Sequence, residues 1–180
     1  LVSKLAIKAP SKIFPFSVSK TIRSFKKFIA STLPDYQRSN IAAAIAVAKR
    51  IGVGDGVIKK TLRRFSGLEG RMETVGKVRG VEFINDTAAT NPEAASKAVI
   101  FTKKRIGRGR LHVIAGGSEK YLPLAGFTSA LKKRAATVVL LPGGSSRKMR
   151  AGLGKSSKPK IIEAKTMREA VRWAFAAAKK

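Results

Sequence analysis

Residues 85–91, Asn-Asp-Thr-Ala-Ala-Thr-Asn, place a carboxylate, two hydroxyls and two amides in one short segment. They follow residues 81–84, whose β-branched and aromatic side chains are typical of a strand, and precede a helix-like run at Pro92. The free N–H groups of a helix start favour anions such as phosphate or an acyl phosphate. Asp86 could then hold ribose hydroxyls or a metal-linked water. The alternative is that the segment is only polar turn chemistry.

The pattern around this segment predicts an α/β fold. Helical patterns cover residues 39–50, 55–65, 92–102, 122–133 and 167–178. Strand patterns cover residues 72–78, 81–84, 111–115, 136–141 and 160–162, the first two as a hairpin that turns at Arg79-Gly80. Because strand and helix alternate from Val81 onward, we predict a Rossmann-like, mostly parallel sheet flanked by helices.

Three predicted strands end in polar or glycine-rich turns, at Asp86, at Gly116-Gly117 and at Gly143-Gly144. In an open α/β sheet such turns line one rim, where ligands bind. We therefore expect the three turns to lie on the same rim. No strand follows the last helix, so we expect the chain to stop before its domain does.

Charge indicates an anionic partner. The chain has 38 basic and ten acidic residues, a net charge of +28, and no acidic residue occurs before Asp35 or between Glu119 and Glu163. Such a surface attracts polyanions, above all nucleic acid. It could equally concentrate a nucleotide or a diphosphate sugar, or reflect a proteome of basic proteins. The charge alone does not choose among them.

Several classes of site are excluded by the sequence. Cysteine is absent, which excludes disulfides and thiolate metal sites. No apolar run approaches 18 residues, so no membrane span is expected. The single histidine, His112, lies in an apolar run; it cannot form a zinc cluster, and we expect it to pack within a strand. Neither the dinucleotide fingerprint nor the phosphate loop occurs, and no Ser/His/Asp set is present.

The first 30 residues contain no acidic residue and are rich in Ser and Lys, which loosely resembles a transit peptide. Arginine is sparse there, with Arg23 alone, and residues 12–17 are more typical of an edge strand.

Four motifs occur in a recognisable order: Asn-Ile-Ala-Ala-Ala at 40–44, Phe-Ser-Gly-Leu-Glu-Gly-Arg-Met-Glu at 65–73, the run 80–92, and Ile-Ala-Gly-Gly at 114–117. Through them the chain resembles the C-terminal domain of the Mur ligase family, and its Asn-Asp-Thr-x-Ala-Thr-Asn form is similar to the D-glutamate-adding branch. The resemblance implies a remnant of the central ATPase domain or a linker at 1–32, and a Mur-ligase-like C-terminal domain without its last strands at 33–180.

The resemblance also implies a reaction. Mur ligases bind ATP between a central phosphate-loop domain and this domain. ATP phosphorylates the substrate carboxylate, and the incoming amino acid attacks the acyl phosphate. The implied substrates are UDP-N-acetylmuramoyl-L-alanine and D-glutamate, the implied cofactors are ATP and Mg²⁺, with magnesium held in the central domain, and the implied location is cytoplasmic.

Five residues gain roles by this resemblance. Asn40 looks like the asparagine beside the adenine, and Arg71 and Asp86 look like the pair near the ribose and phosphates. A guanidinium suits phosphate, and a carboxylate accepts two ribose hydroxyls. Thr90 and Lys120 are similar to the residues around the incoming D-glutamate.

Each role has a structural alternative. Asn40 could cap its own helix, and either Asn91 or Thr90 could cap the helix at Pro92. Arg71 and Glu73 could form a surface pair on a strand. Lys120 could be one of many surface lysines.

The chain departs from the family pattern at Ala88, where a lysine is usual, and at residues 34–37, where Pro-Asp-Tyr-Gln replaces Gly-x-His-Asn. Without a phosphate loop, this polypeptide is not expected to catalyse alone. These departures favour a second hypothesis, a non-catalytic Mur-ligase-derived basic module that binds RNA or the ribosome, although no aromatic-interleaved RNA-binding motif is present. A third, a related ligase such as a folate glutamate ligase, fits residues 85–91 less well.

Overall fold

The computed structural model describes residues 14–29, 37–154 and 158–178, and the chain divides into two compact units between Ser66 and Gly67. The first unit contains α1 (Val18–Ile22), a 3-10 helix (Arg23–Phe28), α2 (Gln37–Arg50) and α3 (Asp55–Arg64). The second contains β1 (Glu73–Val78), β2 (Val81–Asn85), α4 (Pro92–Ile106), β3 (Leu111–Ala115), α5 (Ala125–Arg134), β4 (Ala135–Leu140), α6 (Gly144–Leu153), β5 (Lys160–Glu163) and α7 (Met167–Ala178). The predicted boundary between 32 and 33 lies outside the described residues.

The first unit is helical and has its own core. Buried apolar side chains from the 3-10 helix and the three α-helices meet there: Ile22, Phe25, Ile41, Ala42, Ile45 and Ile58. Helix α2 is present as predicted, but it is already helical at Gln37, so Asn40 lies inside the helix and does not cap it. The predicted edge strand is wrong for residues 14–17, which are not strand, whereas residues 12 and 13 lie outside the described part.

The second unit confirms the predicted α/β fold. Its three-stranded sheet is parallel, in the order β3-β4-β5, with Val113 opposite Val138 and Val138 opposite Ile161. Because side chains alternate along a strand, β4 contributes side chains to two hydrophobic cores, one on each face of the sheet. Val138 and Leu140 pack with α4, α5 and α6, whereas Val139 packs on the face that α7 covers.

The hairpin is separate from this sheet. Strands β1 and β2 form a two-stranded antiparallel pair, in which Val78 lies opposite Val81. Arg79 and Gly80 both have positive φ, 49° and 83°, as the two central residues of a type I′ turn require. The prediction that Asp86 ends a strand of the parallel sheet is therefore wrong. A two-residue turn forces β2 back along β1, so antiparallel pairing takes the place of a crossover.

Two contacts join the hairpin to the helices of the second unit. The rings of Phe83 in β2 and Phe175 in α7 lie 5.7 Å apart, and Arg105 of α4 forms a 2.8 Å ion pair with Glu82. Among the described residues, these two contacts help to hold the hairpin against the helices.

Helix α6 was not among the helices predicted from the sequence. Ser146, Met149 and Leu153 form its buried stripe at helical spacing, and basic side chains cover the remaining faces. In the described part of the chain, every helix falls short of the length and apolarity that crossing a membrane requires.

Candidate functional site

Two short loops of the second unit pack side by side and are joined by backbone and side-chain hydrogen bonds. We call residues 70–73 and 85–88 the paired loops. The Met72 N–H donates to Asp86 Oδ1 at 3.0 Å, and the Ala88 N–H donates to the Gly70 carbonyl at 2.9 Å. Glu73 Oε2 accepts from the Gly70 N–H at 2.9 Å and from Asn85 Nδ2 at 3.1 Å. The structure therefore brings together the motif at 65–73 and the segment at 85–91.

The backbone of the first loop is held in an unusual conformation. Gly70 and Met72 both have left-handed φ values, 67° and 52°, which cost energy for a side chain such as that of methionine. A Cβ atom on Gly70 would lie 3.3 Å from Thr87 Oγ1, so glycine also permits the close approach. This strain persists because the hydrogen bond to Asp86 holds Met72 in place.

Asp86 is a half-buried carboxylate with one oxygen committed to the protein. Burial raises the pKa of Asp86 above its ordinary value, while the Met72 N–H and the positive charge of Arg71 act to lower it. Asp86 Oδ2 accepts no hydrogen bond from the described residues. Arg71 is exposed, and its charge acts on Asp86 without an ion pair at contact distance in this part of the chain. The pair leaves an acceptor oxygen and a guanidinium available to a ligand.

The surface pair considered for Arg71 and Glu73 is absent among the described residues. Glu73 instead binds Gly70 and Asn85, and Arg71 lies before β1, where it forms an isolated bridge with Leu68.

Helix α4 begins as its sequence predicts, with Asn91 as the cap. Asn91 Oδ1 accepts from the Glu93 N–H at 2.8 Å, and Pro92 occupies the first turn. Thr90 is exposed and is not the cap; its N–H donates to the Ala88 carbonyl at 3.0 Å. Its hydroxyl is therefore not used to begin the helix.

The glycine-rich turns after β3 and β4 do share one rim of the parallel sheet, as predicted. The Ser145 N–H donates to the Gly117 carbonyl at 3.2 Å, and Ser145 Oγ donates to the Ser118 carbonyl at 2.8 Å. A Cβ atom on Gly116 would lie 2.7 Å from that of Leu141, and one on Gly143 would meet the Gly117 carbonyl. Glycine is required because the two turns interlock through their backbones.

Lys120 lies on the turn after β3, which Glu119 holds in place. Glu119 accepts from the Tyr121 N–H at 2.8 Å and forms a 3.0 Å ion pair with Lys148 of α6. The Lys148 hydrogen bond, and then the Tyr121 N–H, lower the pKa of Glu119. Lys120 is exposed, and no hydrogen bond or ion pair between described residues joins it to Asp86. Asn40 lies in the other unit. Of the predicted site residues, the structure brings only Arg71 and Asp86 into direct electrostatic interaction.

His112 packs within β3, as predicted. Both ring nitrogens are buried, and neither has a hydrogen-bond partner in the described part of the chain. Burial lowers the pKa of His112, and the positive charge of Arg110 lowers it further. In the described ranges, no three His, Asp or Glu residues are grouped closely enough to hold a metal ion between them.

The supporting contacts of Met72, Glu73 and Glu119 were not predicted from the sequence, and each of them holds a candidate site residue or its loop in place. A signal was present for the two acids. With only ten acidic residues in the chain, each acid beside a motif is a candidate for a specific contact. The Met72 contact uses the backbone and leaves no mark in the sequence.

Comparison with known proteins decides the family. The family model described as "Mur ligase, glutamate ligase domain" matches residues 70–180, from the first paired loop to the end of the chain. The chain belongs to the Mur ligase family. Among curated relatives of this Mur ligase chain, the UDP-N-acetylmuramoylalanine–D-glutamate ligase of Thermoanaerobacter sp. (strain X514) is 35% identical over 147 residues. That alignment covers 81% of the chain and 31% of the relative.

Two further matches agree with this assignment. The ligase of the same name from Roseiflexus sp. (strain RS-1) is 39% identical over 114 residues, which are 63% of this Mur ligase chain and 23% of the relative. The crystal structure of UDP-N-acetylmuramate-alanine ligase from Thermotoga maritima superposes with a TM-score of 0.62 at 19% identity, covering 78% of the chain and 31% of that structure. The latter shows the shared fold. The chain thus spans about a third or less of these relatives.

Proposed function

We propose that this chain is the C-terminal part of a cytoplasmic, ATP-dependent ligase that adds D-glutamate to UDP-N-acetylmuramoyl-L-alanine in peptidoglycan precursor synthesis. The observation that carries the proposal is the packing of the paired loops, which sets Arg71 beside a half-buried Asp86. Membership in the Mur ligase family and the names of the curated relatives support the choice of reaction. In the same proposal, residues 1–32 belong to the central ATPase domain or a linker, and residues 33–180 form the C-terminal domain.

The paired loops are the proposed nucleotide site. Asp86 Oδ2 would accept hydrogen bonds from the ribose hydroxyls, since Oδ1 is already bound to Met72. The exposed guanidinium of Arg71 would contact the phosphates, for which its planar, permanently charged group is well suited. Asn40 is proposed to contact the adenine. As an exposed side chain inside α2, it is not needed to cap that helix.

Thr90 and Lys120 are the proposed contacts of D-glutamate. Thr90 directly precedes Asn91, the cap of α4, and the N–H groups at a helix start favour a carboxylate. The ammonium group of Lys120 would neutralise one carboxylate of the amino acid. Glu119 acts as a positioning residue, because its bonds to Tyr121 and Lys148 fix the turn on either side of Lys120.

When bound, ATP supplies the phosphoryl group that activates the substrate carboxylate. The chain's own contribution is to orient the nucleotide and the amino acid and to balance their charge. In line with the resemblance to the family, we propose that Mg²⁺ is held by the central domain of the complete protein.

The test is an assay of the full-length gene product that contains this chain. ADP release should depend on both UDP-N-acetylmuramoyl-L-alanine and D-glutamate, and L-glutamate should not replace the D-isomer. ADP release that is independent of D-glutamate would reject the assignment. Arg71→Ala should raise the KM for ATP at least about tenfold, because a charge-assisted contact to phosphate contributes about 1.5–3 kcal/mol.

A further inference from the structure

A basic groove lies within the first unit, between the 3-10 helix and α3. Its volume is about 830 Å³. We use the name basic groove for this cavity, which is lined by Arg23, Ser24, Lys26, Lys27, Phe28, Ile29, Leu62 and Arg63. Half of these residues are cationic, and no carboxylate is among them.

Three cations converge on one aromatic ring beside this groove. The guanidinium of Arg63 lies 4.7 Å from the centroid of the Phe28 ring, and the ammonium groups of Lys27 and Lys59 lie at 5.3 and 5.9 Å. Attraction to the ring offsets part of the cost of bringing like charges together. The remaining repulsion favours binding of an anion at this place.

The other described residues of the first unit do not supply that anion. In residues 14–29 and 37–66 there are eleven Lys and Arg residues and one carboxylate, that of Asp55. Asp55 is paired with Lys49 at 3.2 Å. The uncompensated positive charge extends well beyond the groove. A mononucleotide could neutralise only a small part of that charge. An extended polyanion matches both the groove and the surrounding charge.

We propose that the basic groove binds the phosphate backbone of single-stranded nucleic acid. The contact is electrostatic, with Lys27 and Arg63 each neutralising a phosphate. Phe28 is only 9% exposed, so its ring positions the cations and does not stack on bases. Binding should therefore be independent of base sequence and nearly equal for RNA and DNA. This function is separate from ligation and uses none of the residues proposed for the ligase site.

The test compares two double variants of the chain. Lys27→Ala/Arg63→Ala removes two exposed cations from the groove. Lys132→Ala/Lys133→Ala removes two exposed cations from the last turn of α5 and serves as the matched control. Fluorescence anisotropy measures binding of labelled oligo(U) and oligo(dT) of about 16 nucleotides, at salt concentrations from about 50 to 200 mM. Circular dichroism checks that both variants remain folded.

We expect the groove variant to bind at least about tenfold more weakly and its salt slope to fall by about 1.4, since each lost phosphate contact to a single strand removes about 0.7. The control should change affinity much less. Lack of oligonucleotide binding at low salt would overturn the proposal, as would equal weakening by both variants. Displacement of the oligonucleotide by ATP at equimolar concentration would overturn it too, because the groove would then be a mononucleotide site.

Discussion

The carboxylate of Asp86 accepts a 3.0 Å hydrogen bond from the backbone N–H of Met72, a residue 14 positions earlier in the chain. This bond joins the motif that precedes the hairpin in the sequence to the motif that follows it. It also places Asp86 next to Arg71, whose charge acts on the pKa of the carboxyl group. The proposed nucleotide site depends on this geometry.

Glu73 should contribute more to the stability of the fold than Glu82, which lies on the other strand of the same hairpin. It accepts hydrogen bonds from Gly70 and Asn85, so Glu73→Ala leaves two donors without their partner and should lower the free energy of unfolding by about 1–3 kcal/mol. The matched control is Glu82→Ala, which removes a partly exposed ion pair with Arg105 and an exposed 3.2 Å hydrogen bond from Thr74, and should cost only about 0–1 kcal/mol. Urea unfolding followed by circular dichroism compares the two. Equal losses would mean that Glu73 does not hold the loops.

His112 should make stability depend on pH. Burial lowers its pKa below the ordinary value of 6.5, so the fold prefers the neutral imidazole. The stability from this preference is fully present above about pH 6.5 and is lost as pH falls below that value. Since both nitrogens lack partners in the described residues, His112→Leu should raise the free energy of unfolding by about 1 kcal/mol at neutral pH, and by more at lower pH. Fluorescence of Trp173, the only tryptophan, can follow unfolding in urea. A variant with the same pH dependence as the parent chain contradicts this expectation.

The close packing of the glycine-rich turns predicts the direction in which a glycine substitution changes the free energy of unfolding. Gly143 has a φ of 143°, and a Cβ atom there would meet the Gly117 carbonyl, so Gly143→Ala should lower the free energy of unfolding by about 1–3 kcal/mol. Gly126 lies inside α5 with nothing within 4 Å of the added Cβ atom, so Gly126→Ala should raise it by about 0.5–1 kcal/mol. Thermal melting should therefore shift in opposite directions for the two variants. An unchanged or higher melting temperature for Gly143→Ala would show that the turns can separate at little cost.

Lys120 should affect the amino-acid substrate and leave the nucleotide unaffected. In the full-length protein, Lys120→Ala should raise the KM for D-glutamate at least about tenfold, as expected for the loss of one charged contact. Lys133→Ala removes an exposed lysine from the end of α5 and should leave that KM unchanged. Steady-state kinetics with saturating ATP separates the two cases. An unchanged KM for D-glutamate in Lys120→Ala would remove Lys120 from the site.

Local chemistry allowed much of the fold to be predicted from the sequence. Pro92 and Asn91 begin α4 as expected, and the apolar run at 111–115 forms a strand of the parallel sheet. These features depend on residues adjacent in the chain. Helix α6 was missed because its basic side chains obscured a short apolar stripe.

What could not be predicted depends on long-range pairing. The hairpin and its turn at Arg79-Gly80 were predicted and are confirmed, but Asp86 was expected on the rim of the parallel sheet, and the hairpin is separate from that sheet. The contact between Asp86 and Met72 uses a backbone N–H held at positive φ, which the residue type does not indicate. The sequence therefore indicated candidate residues for the site, but it did not indicate how the fold arranges them.

The most direct measurement is the KM for ATP of full-length Asp86→Asn protein, together with its melting temperature. The amide oxygen can still accept the Met72 hydrogen bond. Burial raises the pKa of Asp86, so the folded protein favours the protonated carboxyl group. The stability that comes from this preference is fully present below the ordinary carboxyl pKa and is lost as pH rises. Ionisation of Asp86 at neutral pH therefore opposes folding. Asp86→Asn should therefore melt at the same or a higher temperature at neutral pH.

The same variant should have a KM for ATP at least about tenfold higher, because an amide is a weaker acceptor of ribose hydroxyls than a carboxylate. Glu82→Gln, which changes an exposed carboxylate on the same hairpin, should leave the KM for ATP unchanged. A stable Asp86→Asn protein with impaired use of ATP is the predicted result. An unchanged KM for ATP would contradict a nucleotide site at the paired loops.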